Sequence, residues 1–119
     1  MLKTLSVILG VVFVLVGLLG FVGGLGIVGA SGFFQTDHIH DAVHLIIGIV
    51  ILFAATSSPN SLATWLRTFG VIYLILAVVG LISADGNIFG ILANKADVWL
   101  HVVLGVILLA LPSVVKDNR

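Results

Sequence analysis

The sequence predicts an all-α integral membrane four-helix bundle built from two tandem helical hairpins. Three observations carry this: an extreme apolar content, four apolar runs separated by turn-forming residues, and an internal repeat. Hydrophobic residues fill 61% of the 119 positions and charged residues 8%, against about 45–50% apolar and about 25% charged in a soluble domain. A spanning helix takes about 20 apolar residues. Four spans with their connections therefore occupy the chain as a single transmembrane domain over 1–119.

The first run, Leu5 to Val22, follows Lys3. It is longer than the roughly 7–15-residue core of a secretory signal and is retained as a span. Its glycines, Gly17, Gly20 and Gly24 among them, place small residues on one face for close approach of another helix. Beyond Gly26 they read as an irregular outer loop. The second run, Ala42 to Ala55, is too short to span alone, so its helix takes in the polar turn before it, capped by Thr36 or Asp37. Ser58-Pro59 opens the third helix, with Pro in the first helical position where its missing N–H is harmless, and the run continues from Leu62 to Ile82. The fourth run, Val98 to Leu111, likewise needs an added turn, capped by Asn94 with a carboxylate, Asp97, three residues on. Pro112 is expected to end it.

The two halves repeat. Gly10 to Gly20 aligns with Gly70 to Gly80 at an offset of 60, and His44-Leu-Ile-Ile-Gly48 aligns with His101-Val-Val-Leu-Gly105 at an offset of 57. Three residues are thus missing from the second half's loop, giving repeats of about 1–57 and 58–119. Two spans per repeat give both halves one orientation, related by a pseudo-two-fold along the membrane normal. Gly48 and Gly105 join the glycines expected at helix contacts.

Five Lys plus Arg balance five acids, all Asp, so there is no basic footprint for nucleic acid. Without cysteine there is no disulfide, thiolate nucleophile or sulfur ligand. Four spans put Lys3, Arg67, Lys116 and Arg119 on one side, which the positive-inside rule makes cytoplasmic. The expected location is the plasma (inner) membrane with both termini inside. Asp37, His38, His40, Asp41, Asp85, Lys95 and Asp97 gather at the outer face, with His44 and His101 about one helical turn deeper. Trp65 and Trp99 suit the two interfacial belts.

Several stretches together resemble one family: the second-helix pattern His40-x-x-x-His44-Leu-x-x-Gly48, the third-helix stretch Phe69 to Leu74, and Phe89-Gly-Ile-Leu-Ala-Asn94-x-x-Asp97-x-x-x-His101. The chain resembles, over nearly its whole length, the small bacterial four-helix membrane proteins of the domain-of-unknown-function family numbered 4383. The resemblance implies a fold and a membrane location and no reaction. The family pattern has Asn where this chain has Asp41.

His40 and His44 share a helix face, as do Asp97 and His101. Where the second and fourth helices meet, these four form a nitrogen and oxygen ligand set suited to Zn²⁺, or to Fe²⁺ or Mn²⁺ with open positions. His44 and His101 alone suit the axial positions of a haem or a chlorophyll-type pigment. The plainer alternatives make Asp37 and Asn94 helix caps and the histidines cross-bundle hydrogen-bond donors, or give the cluster a proton-linked role. No serine sits in a nucleophile elbow or beside a base, so no enzyme is expected. The first expectation is a non-enzymatic accessory subunit in lipid, without a cofactor, that oligomerises or joins a larger membrane complex. The second is an outer-face metal-binding module using His40, His44, Asp97 and His101.

Overall fold

The computed structural model describes residues 1–23, 26–29, 32–83, 87–88, 90–91 and 93–117. Gly24, Asp85, Phe89 and Arg119, named above, lie outside the described residues. Four helices, α1 (Leu2–Val22), α2 (His38–Ala55), α3 (Pro59–Ile82) and α4 (Lys95–Val114), alternate with loops, the first of which holds two short strands, β1 (Val28–Gly29) and β2 (Phe34–Gln35). All four helices are long and apolar enough to cross a membrane.

The helices begin where their caps dictate. Asp37 accepts from the His40 N–H at 2.8 Å, Asn94 from the Asp97 N–H at 3.0 Å, and Ser58 from the Ser61 N–H at 3.2 Å with Pro59 behind it. Each satisfies a donor that the first turn cannot. Pro112 does not end α4, which continues through Val114. Proline costs the helix one hydrogen bond but holds a helical φ, so so near the terminus the last turn still closes. The strands are a second departure from the sequence reading: β1 and β2 pair in parallel, Val28 opposite Phe34 and Gly29 opposite Gln35.

Each hairpin is held by glycine against backbone. An added Cβ at Gly48 would lie 2.8 Å from the carbonyl oxygen of Gly10 and from the nitrogen of Val14. At Gly70 it would lie 2.7 Å from the nitrogen of Leu109 and 2.9 Å from the carbonyl oxygen of Gly105. Gly10 and Gly105 complete the two pairs, each facing a leucine side chain, Leu52 and Leu74 respectively. Gly17 also packs on α2 backbone, at Asp41 and Leu45. Such approach lets dispersion hold helices together in lipid, where apolar burial offers little.

The burial pattern follows the repeat. The buried residues of α1 are Leu2, Ser6, Gly10, Phe13, Gly17 and Gly20, and those of α3 are Leu62, Leu66, Gly70, Tyr73, Ala77 and Gly80, each 60 positions on. In α4, Asp97, Val98, His101, Gly105 and Leu108 stand 57 positions after His40, Asp41, His44, Gly48 and Ile51 of α2, all of them buried. Outward faces are aliphatic: Leu15, Ile46, Ile75 and Val106 are all more than half exposed, as lipid requires. At one end the Leu2 N–H donates to the Lys116 carbonyl at 3.1 Å. The two loops cover the other.

The glycine pairs predict a ranking. Gly48→Ala and Gly70→Ala, which meet backbone, should lose about 1–3 kcal/mol to overpacking despite alanine's helix advantage of about 1 kcal/mol. Gly10→Ala and Gly105→Ala, which meet leucine side chains able to rotate, should lose less. Thermal melts in detergent followed by helical circular dichroism give the order, and equal melting points for all four variants would contradict it.

Candidate functional site: a histidine and aspartate cluster on the pseudo-two-fold axis

Two tight hairpins leave a wider seam between them, and the buried polar residues lie there. His40 and His44 come from the first two turns of α2, and Asp97 and His101 from the first two turns of α4. All four are buried. His40 Nε2 lies 3.3 Å from Asp97 Oδ2. The His44 and His101 rings are 6.1 Å apart between centroids, and those of His40 and His101 are 5.4 Å apart and nearly parallel. One ring nitrogen from each of His40, His44 and His101 falls within 4.8 Å of the others.

Repeat counterparts face one another. His40 meets Asp97, His44 meets His101, and a layer deeper Phe13 stacks on Tyr73 with centroids 5.8 Å apart. A residue that meets its own counterpart sits on the symmetry axis. The axis therefore runs along the bundle, through a histidine–aspartate layer, an imidazole layer and an aromatic layer. Tyr73 closes the cluster from below, its ring edge-on to His101 at 4.9 Å. Beneath it the core is aliphatic, with Ile51, Leu66 and Leu108 fully enclosed.

Small cavities flank the cluster. One of about 100 Å³ lies between α2 and α3 beside His40, His44 and His101, roofed by Ile88 and Ile91. Another, of about 220 Å³, lies between α1 and α4 beside His44 and Asp97, roofed by Ile27, Val28 and Phe34. A third, of about 110 Å³, continues it downward beside Phe13 and Leu104. The second loop is pinned by a reciprocal pair, Ile88 N–H to Ile91 carbonyl at 3.0 Å and its return at 2.8 Å. The first is fastened across the repeats, where the Asn94 amide donates to the Phe33 carbonyl at 2.8 Å.

Among the described residues, several buried polar atoms in or beside this seam have no hydrogen-bond partner: Asp97 Oδ1, both oxygens of Asp41, the Tyr73 hydroxyl and His44 Nδ1. Such groups are few in native interiors and each needs a reason.

The four residues singled out by spacing are thus brought together. Asp37 and Asn94 cap α2 and α4. Gly17, Gly48 and Gly105 line helix contacts, whereas the space beside Gly20 holds the Asp41 carboxylate, which a Cβ there would overlap. Asp97 does not reach back to close a capping box, because its carboxylate turns inward to His40. Sequence reasoning assigned no packing or site role to Gly10, Gly70, Phe13, Tyr73 and Asp41. The first four stand at repeat-matched positions within the aligned segment, the signal that would have found them.

Fold and site together define a membrane-embedded bundle of two helical hairpins with histidine and aspartate on its internal axis. Residues 3–114 match the family described as "Domain of unknown function (DUF4383)", and the chain belongs to that family. No curated protein and no solved structure matches it.

The His40–Asp97 contact predicts strong coupling. Removing one partner of a buried pair costs about 3–5 kcal/mol, because the other is left without compensation, while replacing both with apolar residues costs little. His40→Leu and Asp97→Leu should each lower the melting point sharply, and the double variant should recover most of the loss. Additive losses would show the two groups to be independent.

Proposed function

We propose that this membrane protein holds a divalent transition-metal ion on its pseudo-two-fold axis, bound by His40, His44 and His101 with Asp97 as the oxygen ligand. The observation that carries this is the convergence of three buried imidazoles within 4.8 Å. Donors around a tetrahedral ion with bonds of about 2.0–2.1 Å are about 3.3 Å apart. The His40–Asp97 separation already has that value, and the His44 and His101 nitrogens lie within 4.8 Å of the His40 nitrogen. Three nitrogens and a carboxylate suit Zn²⁺ first, then Fe²⁺ or Mn²⁺. An ion also accounts for Asp97 Oδ1, which is buried without a hydrogen-bond partner among the described residues.

Volume favours an ion over a macrocycle. The flanking cavities measure about 100, 110 and 220 Å³, below the roughly 300–1,000 Å³ of organic-ligand pockets. The accessory-subunit reading draws on the outward aliphatic faces, which lipid covers equally well. The positive-inside rule supports placing the end with Lys3, Arg67 and Lys116 in the cytoplasm and the cluster beneath the outer surface of the inner membrane.

Elemental analysis of untagged protein, purified in mild detergent without chelator, should give one metal ion per chain. His44→Ala with His101→Ala should abolish it while helical content is kept. A metal-free protein that elutes as a defined oligomer or with another protein would favour the accessory role instead. Topology has its own check, since the chain lacks cysteine. In intact cells an impermeant maleimide should label Phe33→Cys, and should reach Ser57→Cys only after permeabilisation; the reverse would invert the assigned orientation.

A further inference from the structure

A cavity of about 700 Å³ opens between the C-terminal end of α1 and the start of α2, away from the axis. Among the residues lining it are Gly20, Phe21, Gly23, Thr36, His38 and Asp41. Asp41 and Thr36 are each 1% exposed, and among the described residues neither the two carboxylate oxygens nor the hydroxyl has a hydrogen-bond partner. A buried polar group without a partner is expensive. The site therefore presents unsatisfied oxygen acceptors beside the end of α1, where the helix's last carbonyls add partial negative charge.

The second repeat shows what fills the corresponding place. There the Lys95 ammonium donates to the carbonyls of Gly80 at 3.2 Å, Leu81 at 3.5 Å and Ser83 at 2.8 Å, across the C-terminal end of α3. At the repeat offsets these acceptors correspond to Gly20, Phe21 and Gly23, and Lys95 corresponds to His38. His38 supplies no ammonium; its ring lies against Phe21, 5.3 Å between centroids. The Asp41 position is taken in the second repeat by the apolar, fully buried Val98. One repeat thus has its cation tethered and a valine at the carboxylate's position, and the other has the carboxylate and an open cavity.

We infer that the cavity of the first repeat is a seat for a primary ammonium group supplied from outside the chain, with Asp41 as its counter-charge and Thr36 and the α1 carbonyls as further acceptors. Three N–H donors on one small cation match this set of oxygens as the Lys95 ammonium matches its own. The amine is either the headgroup of an ethanolamine phospholipid or a free alkylamine.

The test uses the full chain in detergent and in phosphatidylcholine nanodiscs. Calorimetry with ethylammonium chloride should show saturable binding, or native mass spectrometry should show phosphatidylethanolamine retained over phosphatidylcholine. Soluble-amine binding identifies a free ligand, and lipid retention alone identifies a headgroup. Asp41→Asn should weaken binding at least about tenfold, as loss of a charge-assisted hydrogen bond does. His38→Lys, which places a tethered ammonium in the seat, should abolish binding and raise the melting temperature. His44→Ala with His101→Ala should leave amine binding intact, which separates this site from the metal site. The inference is overturned if neither amine binds, if both Asp41→Asn and His38→Lys bind as the parent does, or if tetramethylammonium, which has no N–H, binds as well as ethylammonium.

Discussion

The contact between helix backbones inside each hairpin sets the rest of the structure. Gly10 against Gly48 and Gly70 against Gly105 bring paired helices so close that no side chain fits between them at those levels. Bulk is displaced into the seam between hairpins, where Phe13, Tyr73 and three imidazoles are stacked in layers. In lipid this is a consistent division of labour. Backbone proximity supplies the dispersion that joins helices, and the wider seam between hairpins keeps the histidines and Asp97 away from hydrocarbon.

Tandem repetition supplies chemistry that exact symmetry could not. In a dimer of identical hairpins every residue on the axis would meet a copy of itself, so an acid would face an acid. With the halves in one chain, His40 can face Asp97 and Phe13 can face Tyr73. Off the axis the same freedom gives Lys95 on one side and Asp41 on the other. Those side chains differ while the glycine contacts within each hairpin are shared by both halves.

Most of the fold was legible because its determinants are local. Apolar runs, the caps at Asp37, Ser58 and Asn94, and the glycine spacing common to both halves are read within a few residues of one another. The His and Asp spacings gave the faces of α2 and α4, and the repeat brought those faces together. What stayed hidden depends on distance through space. In a helix apolar all round, nothing local says that Tyr73 rather than Tyr73's aliphatic neighbours points to the axis. Gly20 has the spacing of a helix-packing residue, yet its space is used by a carboxylate from the next helix. The pairing of Val28–Gly29 with Phe34–Gln35 needs the loop already closed, and Pro112 is tolerated only because so little helix follows it.

Asn94 carries a role beyond capping. Its side-chain oxygen holds the first turn of α4, the helix that contributes Asp97 and His101, while its amide holds Phe33 in the loop that roofs the neighbouring cavity. One side chain therefore fastens both the wall and the lid. Loss of this one side chain would therefore release the loop above the cluster and loosen the first turn of α4 together, two elements far apart in the chain.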